Sequence, residues 1–265
     1  MIKQRMPAPA DPEADRLMTH AETAMGTVFS LSVVPGRLTG QDLRSALEAA
    51  CATLHHADAV FSTWDRQSPV SRLRRGEAGL GDLPPEVAQV MAECQAARQA
   101  SGGWFDPWAM PGGFDPTGLV KGWAVERALA VLRGSGIAAA MVNGGGDLAA
   151  FGSPAPGRRW RVGIRHPWRA GSLAGIIEVE AAVATSGSYE RGSHLIDPAT
   201  GLASGRAASA TVTGPSLAMA DALATAVAVG GDEALAVVGG VGGYAAHLIR
   251  PDGSETGTGG ITFVS

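Results

Sequence analysis

Residues 113 to 127 read GFDPTGLVKGWAVER, and Lys121 stands out in that stretch. Of the 21 basic residues only Lys3 and Lys121 are lysines; the rest are arginines. A helix beginning near Thr117 places Lys121 in its first turns, where the helix macrodipole is already positive. A cation there has the wrong sign unless an anion lies close by. Gly118 and Gly122 flank it, and a glycine inside a helix costs about 1 kcal/mol relative to alanine. Bare backbone beside a helix N-terminus and an ammonium suits an approaching anionic group. The same residues equally suit a solvent-exposed lysine beside packing glycines. The stretch is not a P-loop, because Leu119 follows Gly118 where the pattern needs a lysine.

A second candidate is AMADALATAVAVGG, in which Asp221 and Thr225 interrupt an otherwise apolar helix. Spacing of i, i+4 sets the carboxylate and the hydroxyl on one face. A buried carboxylate is costly unless paired or metal-bound, and oxygen ligands of this kind suit Mg²⁺. The alternative is an aspartate favoured by the helix N-terminus, with Thr225 bonded back into its own helix. Two weaker signals follow. Asn143-Gly144-Gly145-Gly146-Asp147 closes a predicted strand, as glycine clusters in ordinary hairpins also do. The polar stretch ATSGSYERGSHLIDPATG contains His194, its one group that titrates near neutrality; a lone histidine is more often structural than catalytic.

These residues need a scaffold. A strand is expected at Thr27–Val34, then a helix at about Gln41–Phe61 with Leu43, Leu47, Cys51, Leu54 and Phe61 at helical spacing. STWDRQSPVSRL reads as a polar turn ending in a short helical piece. A helix opened by Pro84-Pro85 stops at Gly102-Gly103, and a third runs from about Thr117 to Arg133. The second half carries short strands (IAAAMVN, LAAFG, RWRVGIRH, GIIEVE, AAVATS, SATVTG), the apolar helix with a shorter one after it, and strands at AAHLIR and ITFVS. Most strands are joined by turns too short for parallel crossovers. The fold class is therefore α+β, with mixed, largely antiparallel sheets and packed helices. Residues 1–24 are expected to be a flexible segment and 25–265 a single domain.

Composition narrows the function. Hydrophobic residues make up 45% and charged residues 17% of the 265, a compact globular balance. A net charge of −4 argues against nucleic acid as a partner, and the RLRR at 72–75 reads as a solvated helix face. Cys51 and Cys94 show no C-x-x-C pattern or metal-ligand spacing, so both are expected to be buried, reduced thiols. Residues 1–24 hold no apolar run, and no stretch of 18 apolar residues exists, so neither an export signal nor a membrane span is expected and the protein reads as cytoplasmic.

Taken in order, Met25-Gly26-Thr27, Phe105-Asp106-Pro107, DPTGLVKGWAVE, NGGGD, ATSGSYER, HLIDPATG and ADALATA closely resemble the ApbE-type FAD:protein FMN transferases over roughly Met25 to Gly230. The resemblance implies an ApbE-like, T-fold-like architecture that binds FAD and uses Mg²⁺ to cleave its pyrophosphate. FMN then passes to a threonine or serine hydroxyl of an acceptor protein, and AMP leaves. It further implies metal ligands at Gly118 (backbone oxygen), Asp221 and Thr225, and FAD contacts at Asp115 and Lys121. Met25, Trp64, Trp104, Phe105 and Asp106 resemble positions lining the flavin or adenine site, while His194 and Ile196 fall near the reacting phosphate. Asp115 or His194 is the candidate base. Thr117 and Val120 stand where smaller residues are usual, and Trp123 replaces a common tyrosine. An FAD pyrophosphatase, with water as acceptor, and a non-catalytic FAD-binding protein are the alternatives.

Overall fold

The computed structural model describes residues 16–187 and 195–264. Strands β1 (Met18–Ala24) and β2 (Thr27–Val34) form an antiparallel hairpin in which Ala24 faces Thr27. Its two-residue turn holds Met25 at φ 51° and Gly26 at φ 68°, the positive pair that tight hairpins use. A methionine there carries a steric cost, offset by donation of its N–H to Asp58 Oδ2 at 2.7 Å.

Three helices follow: α1 (Gly40–Phe61), α2 (Pro69–Arg74) and α3 (Pro85–Ala100). In α1 the buried residues Leu43, Ala46, Ala50, Leu54, Ala57 and Phe61 recur every three or four positions, one stripe of a 3.6-residue helix. Helix α4 (Thr117–Gly134) leads into β3 (Ala139–Gly144) and β4 (Asp147–Phe151). Strands β5 (Trp160–Arg165), β6 (Leu173–Val179), β7 (Ala182–Ser186) and β8 (Ser209–Gly214) come next. Helices α5 (Leu217–Gly230) and α6 (Asp232–Val238), then β9 (Ala245–Ile249), β10 (Glu255–Gly257) and β11 (Phe263–Val264), complete the chain.

Eight strands pair antiparallel in the order β1-β2-β3-β4-β7-β8-β9-β10, and β11-β6-β5 form a second antiparallel sheet. The strand period of two decides the layering. Ala140, Ala149 and Ala184 face a core shared with α1, α4 and α5. Their neighbours Ala139, Leu148 and Val183 face the opposite way, against Trp160, Ile164, Ile177 and Val179 of the small sheet. The molecule thus has three layers, with helices on one face of the large sheet and the small sheet on the other. Helix α5 lies between α4 and strands β7 and β8, which is why it is apolar all round.

The α+β, antiparallel expectation holds. Two elements differ from the sequence reading. Met18–Ala24, expected within a flexible segment, is the edge strand β1, so regular structure is present before residue 25. Only Ala24 of that strand is buried, so it has no apolar alternation to read and is held by backbone pairing. β10 was likewise unread, because its three residues carry no hydrophobic signal. Among the described residues, no helix is long and apolar enough to cross a membrane.

Candidate functional site

The main cleft opens where the β1–β2 turn, the 104–110 loop, the start of α4, the β3–β4 turn, the ends of β5 and β7, and one face of α5 meet. Its volume is about 970 Å³, at the upper end of the range for small-molecule sites. Trp104, Phe105, Asp106, Asp115, Gly118, Lys121, Ile196, Asp221 and Thr225 all line it. So nine of the sequence-selected residues, drawn from four segments, share one cavity.

The crossing of α4 and α5 sets the centre of the site. At Gly122 an added Cβ would lie 2.6 Å from the Leu217 carbonyl oxygen, so only glycine lets the two backbones meet. Of the two readings of Gly122, bare backbone for a ligand or a packing glycine, the structure matches the second: it is bare for a helix. The close crossing lets the Gly122 N–H donate to Asp221 Oδ2 at 3.2 Å. One turn earlier, an added Cβ on Gly118 would stand 3.3 Å from Thr225 Oγ1 and 3.1 Å from the Phe105 ring. Gly118, Asp221 and Thr225 are thereby brought together. Thr225 Oγ1 also lies 3.3 Å from Ser186 Oγ on β7.

Glu126, one more turn along α4, fixes the depth of this crossing. Its carboxylate accepts the Leu217 N–H, closing an otherwise open donor at the start of α5. Burial pushes its carboxyl above the usual range, with the Leu217 N–H pulling the other way.

Lys121 has its anion within the protein. Its ammonium is ion-paired with Asp147, and Asp221 Oδ2 lies 3.9 Å away. The Asp147 side chain is 2% exposed and the Lys121 side chain 20%; Asp147 Oδ1 also accepts the Thr185 N–H at 2.8 Å. Asp147 was not among the sequence-selected residues. The signal was the last letter of NGGGD. Gly145 and Gly146, at φ 65° and 108°, make the two-residue turn that starts β4 at Asp147. Asn143 Oδ1 braces it by accepting the Gly146 N–H at 2.8 Å.

Asp115 lines the cleft with both oxygens engaged. Oδ1 accepts the Thr117 N–H at 3.0 Å, and Oδ2 accepts from Arg74 Nη1 at 3.1 Å. Arg74 also donates to the carbonyls of Gly112 (3.2 Å) and Pro111 (2.7 Å). The second arginine of RLRR, read as part of a solvated face, is thus a clamp with its side chain 15% exposed. Asp106 is held similarly, accepting from Arg98 at 2.6 Å and from the Trp108 N–H at 3.0 Å. Trp104 packs over Gly230 and under the Arg206 guanidinium, 5.2 Å from its ring centre.

Three selected residues stand apart. Met25 is the strained turn residue, and its neighbours Gly26 and Thr27 line the cleft in its place. Trp64 is 93% exposed and not part of the cleft lining, because α1 ends at Phe61 and the following turn faces solvent. His194 lies outside the described residues. Both cysteines are free and buried; burial pushes the Cys51 thiol up to about 11 and the Cys94 thiol further in the same direction.

The fold and cleft define a class: an α+β protein with an oxygen-lined small-molecule site between two crossed helices and a sheet. A family model described as the ApbE family matches residues 25–113 and 109–247, and the chain belongs to that family. An FAD:protein FMN transferase of Rhodobacter capsulatus is 37% identical over 122 residues, 43% of this chain and 23% of that protein. One from Vibrio cholerae serotype O1 is 38% identical over 130 residues, 45% of this chain and 39% of that protein. The matches to these two relatives thus span less than half of either relative's length. Among solved structures, the ApbE protein of Thermotoga maritima superposes with a TM-score of 0.80 at 21% identity, covering 91% of this chain and 96% of that one. The flavin transferase ApbE of Vibrio cholerae gives 0.77 at 22% identity, covering 91% and 96%. At such identities these two neighbours establish the fold.

Proposed function

We propose that the chain is an FAD:protein FMN transferase. In this reading it uses Mg²⁺ to cleave the FAD pyrophosphate, passes FMN to a threonine or serine hydroxyl of an acceptor protein, and releases AMP. The observation that carries the proposal is the meeting of Gly118, Asp221 and Thr225 on the wall of the 970 Å³ cleft, beside the Lys121–Asp147 pair. Family membership and the names of the two relatives support it.

The residues present fit the metal. A carboxylate, a hydroxyl and a backbone carbonyl are hard oxygen donors of the kind Mg²⁺ takes. Asp221 is 3% exposed, and a carboxylate that deep gains from a nearby cation. Mg²⁺, when bound, supplies positive charge to the pyrophosphate oxygens and the leaving phosphate.

The chain's own groups do the remaining work. Helix α5, buried on every side, keeps Asp221 and Thr225 from shifting. Lys121 presents an ammonium to the same wall, held in place by Asp147. The acceptor oxygen bonds to the FMN phosphorus as the phosphorus–oxygen bond to AMP breaks, and the hydroxyl proton must leave to a base. The base is Asp115 or His194; Asp115 also anchors its loop, accepting from Arg74 and from the Thr117 N–H.

Incubation with FAD, Mg²⁺ and a threonine-bearing acceptor protein tests this. Intact mass should show one added FMN, and chromatography an equal amount of AMP. AMP without a modified acceptor would mean hydrolysis; no AMP under any condition would refute the reading. Asp221→Asn should stop AMP release while the fold persists.

A further inference from the structure

Away from the cleft, where edge strand β1 lies along α1, four side chains with metal-binding chemistry converge. The strand period puts His20 and Glu22 on one face, and i, i+4 spacing puts Cys51 and His55 on one stripe of the helix. Glu22 stands between them, with Oε2 3.4 Å from His20 Nε2 and Oε1 3.0 Å from His55 Nε2. Cys51 Sγ completes the cluster: the ligand atoms of His20, Glu22 and Cys51 all lie within 4.8 Å of one another. Among the described residues, no other group of three or more His, Cys, Asp and Glu side chains comes as close. Among the other described histidines, His56 and His247 each meet a single carboxylate, Glu86 and Glu255, and His166 accepts the Trp168 N–H.

The geometry points to a tetrahedral binding site for a borderline-soft divalent metal, Zn²⁺ above all, with Cys51 Sγ, the Nε2 atoms of His20 and His55, and one Glu22 oxygen as ligands. A thiolate with two imidazoles selects against Mg²⁺ and Ca²⁺, so this site is chemically separate from the all-oxygen set in the cleft. Bond lengths of about 2.0–2.3 Å imply ligand atoms roughly 3.3–3.8 Å apart in a tetrahedron. The separations within the His20, Glu22 and Cys51 trio, 3.4 Å for His20–Glu22 and at most 4.8 Å overall, bracket that range, and rotation of the His55 side chain, now 3.0 Å from Glu22, would bring in the fourth ligand. The histidine side chains, 42% and 52% exposed, leave a path for entry, while Cys51 at 6% forms the floor. On binding, the Cys51 proton passes to solvent as sulfur coordinates.

The ion would tie edge strand β1 to α1. The strand runs directly into the Met25 turn, whose N–H is held by Asp58 of the same helix. That turn borders the cleft through Gly26 and Thr27. The role is therefore structural, and it stands whether or not the cleft transfers flavin. Cys51 was read from sequence as a bland buried thiol because its partners lie on β1, the strand without a readable pattern.

The test uses the full chain, stripped with a chelator and then titrated with Co²⁺. One equivalent should give the intense visible bands of a tetrahedral ion and a near-ultraviolet thiolate charge-transfer band, both bleached by Zn²⁺ and unaffected by excess Mg²⁺. Cys51→Ser should remove the thiolate band. His55→Gln, at an exposed position that leaves folding intact, should weaken Zn²⁺ binding by more than the roughly 10–100-fold that loss of an outer-shell partner costs. A wild-type spectrum without the thiolate band would overturn the site. So would a band that survives Cys51→Ser, or Zn²⁺ affinity unchanged in His55→Gln.

Discussion

Replacing Gly122 with alanine probes how closely α4 and α5 must cross for the site to exist. The new methyl would lie 2.6 Å from the Leu217 oxygen, 2.7 Å from its carbonyl carbon and 2.9 Å from Ala218 Cα. All three are backbone atoms, so no side chain can turn aside. Ordinary contact begins at 3.4 Å, and 3.4 − 2.6 gives a helix displacement of about 0.8 Å. Helix propensity favours alanine by about 1 kcal/mol. Against that, overpacking costs roughly 1–3 kcal/mol, and stretching the Gly122–Asp221 bond removes about 1 kcal/mol more. The net expectation is a loss of about 1–3 kcal/mol, or a Tm lowered by about 2–12 °C in a domain of this size.

The same displacement moves Gly118 and Lys121 away from Asp221 and Thr225. A misplacement near 1 Å can cost about 100-fold in rate, so AMP release should fall by one to two orders of magnitude. Gly134→Ala is the matched control. It ends the same helix, nothing lies within 4 Å of its new methyl, and it should gain up to about 1 kcal/mol. Urea unfolding of the two variants, with AMP release measured on each, gives opposite signs if the crossing governs the site. Gly122→Ala as stable and as active as Gly134→Ala would refute the reasoning.

Lys121→Met should cost about 3 kcal/mol, the low end for breaking a buried pair, because Thr185 still donates to Asp147; the double variant with Asp147→Asn should recover most of that in urea unfolding. Glu126→Gln keeps an acceptor for α5 and removes the buried charge. Since burial raises the folded-state pKa of Glu126, the stability linked to its protonation is full below the ordinary glutamate pKa and is lost as pH rises through the folded value. Wild type should therefore lose stability relative to Glu126→Gln over that window, as followed by urea midpoints across pH. Arg74→Lys should raise the KM for FAD more than it lowers kcat, since one ammonium cannot reproduce a fork that grips Asp115 and two carbonyls; steady-state AMP release separates the two constants.

The elements with strong periodicity were legible in the sequence: α1 through its apolar stripe, α4 through its position after Asp115-Pro116, and α5 through its unbroken apolarity. Asp221 and Thr225 were legible for the same reason, because polar atoms in an apolar helix must find partners. What escaped was set by contacts across the fold. β1 has no buried face to pattern it, Arg74 looks like any surface arginine until Pro111 and Gly112 are folded against it, and Gly122 serves a neighbouring helix 95 residues further along the chain.

Lys121 shows the limit most clearly. Its isolation among arginines and glycines suited either a nearby anion or a solvent-exposed lysine; an anion is present, and it belongs to the protein as Asp147. One ammonium facing the Asp147 and Asp221 carboxylates leaves this wall net negative, which disfavours a pyrophosphate at close range. In the structure the compact charge of Lys121 holds two buried carboxylates near one another. On the proposed reading, a divalent cation at Asp221 and Thr225 would reverse the sign of the wall, and phosphate recognition would be conditional on the metal. A guanidinium in place of the ammonium would set a planar five-donor fork where a compact point charge now meets the Asp147 and Asp221 carboxylates, and that gives a physical reason for a lysine in a chain that otherwise uses arginine.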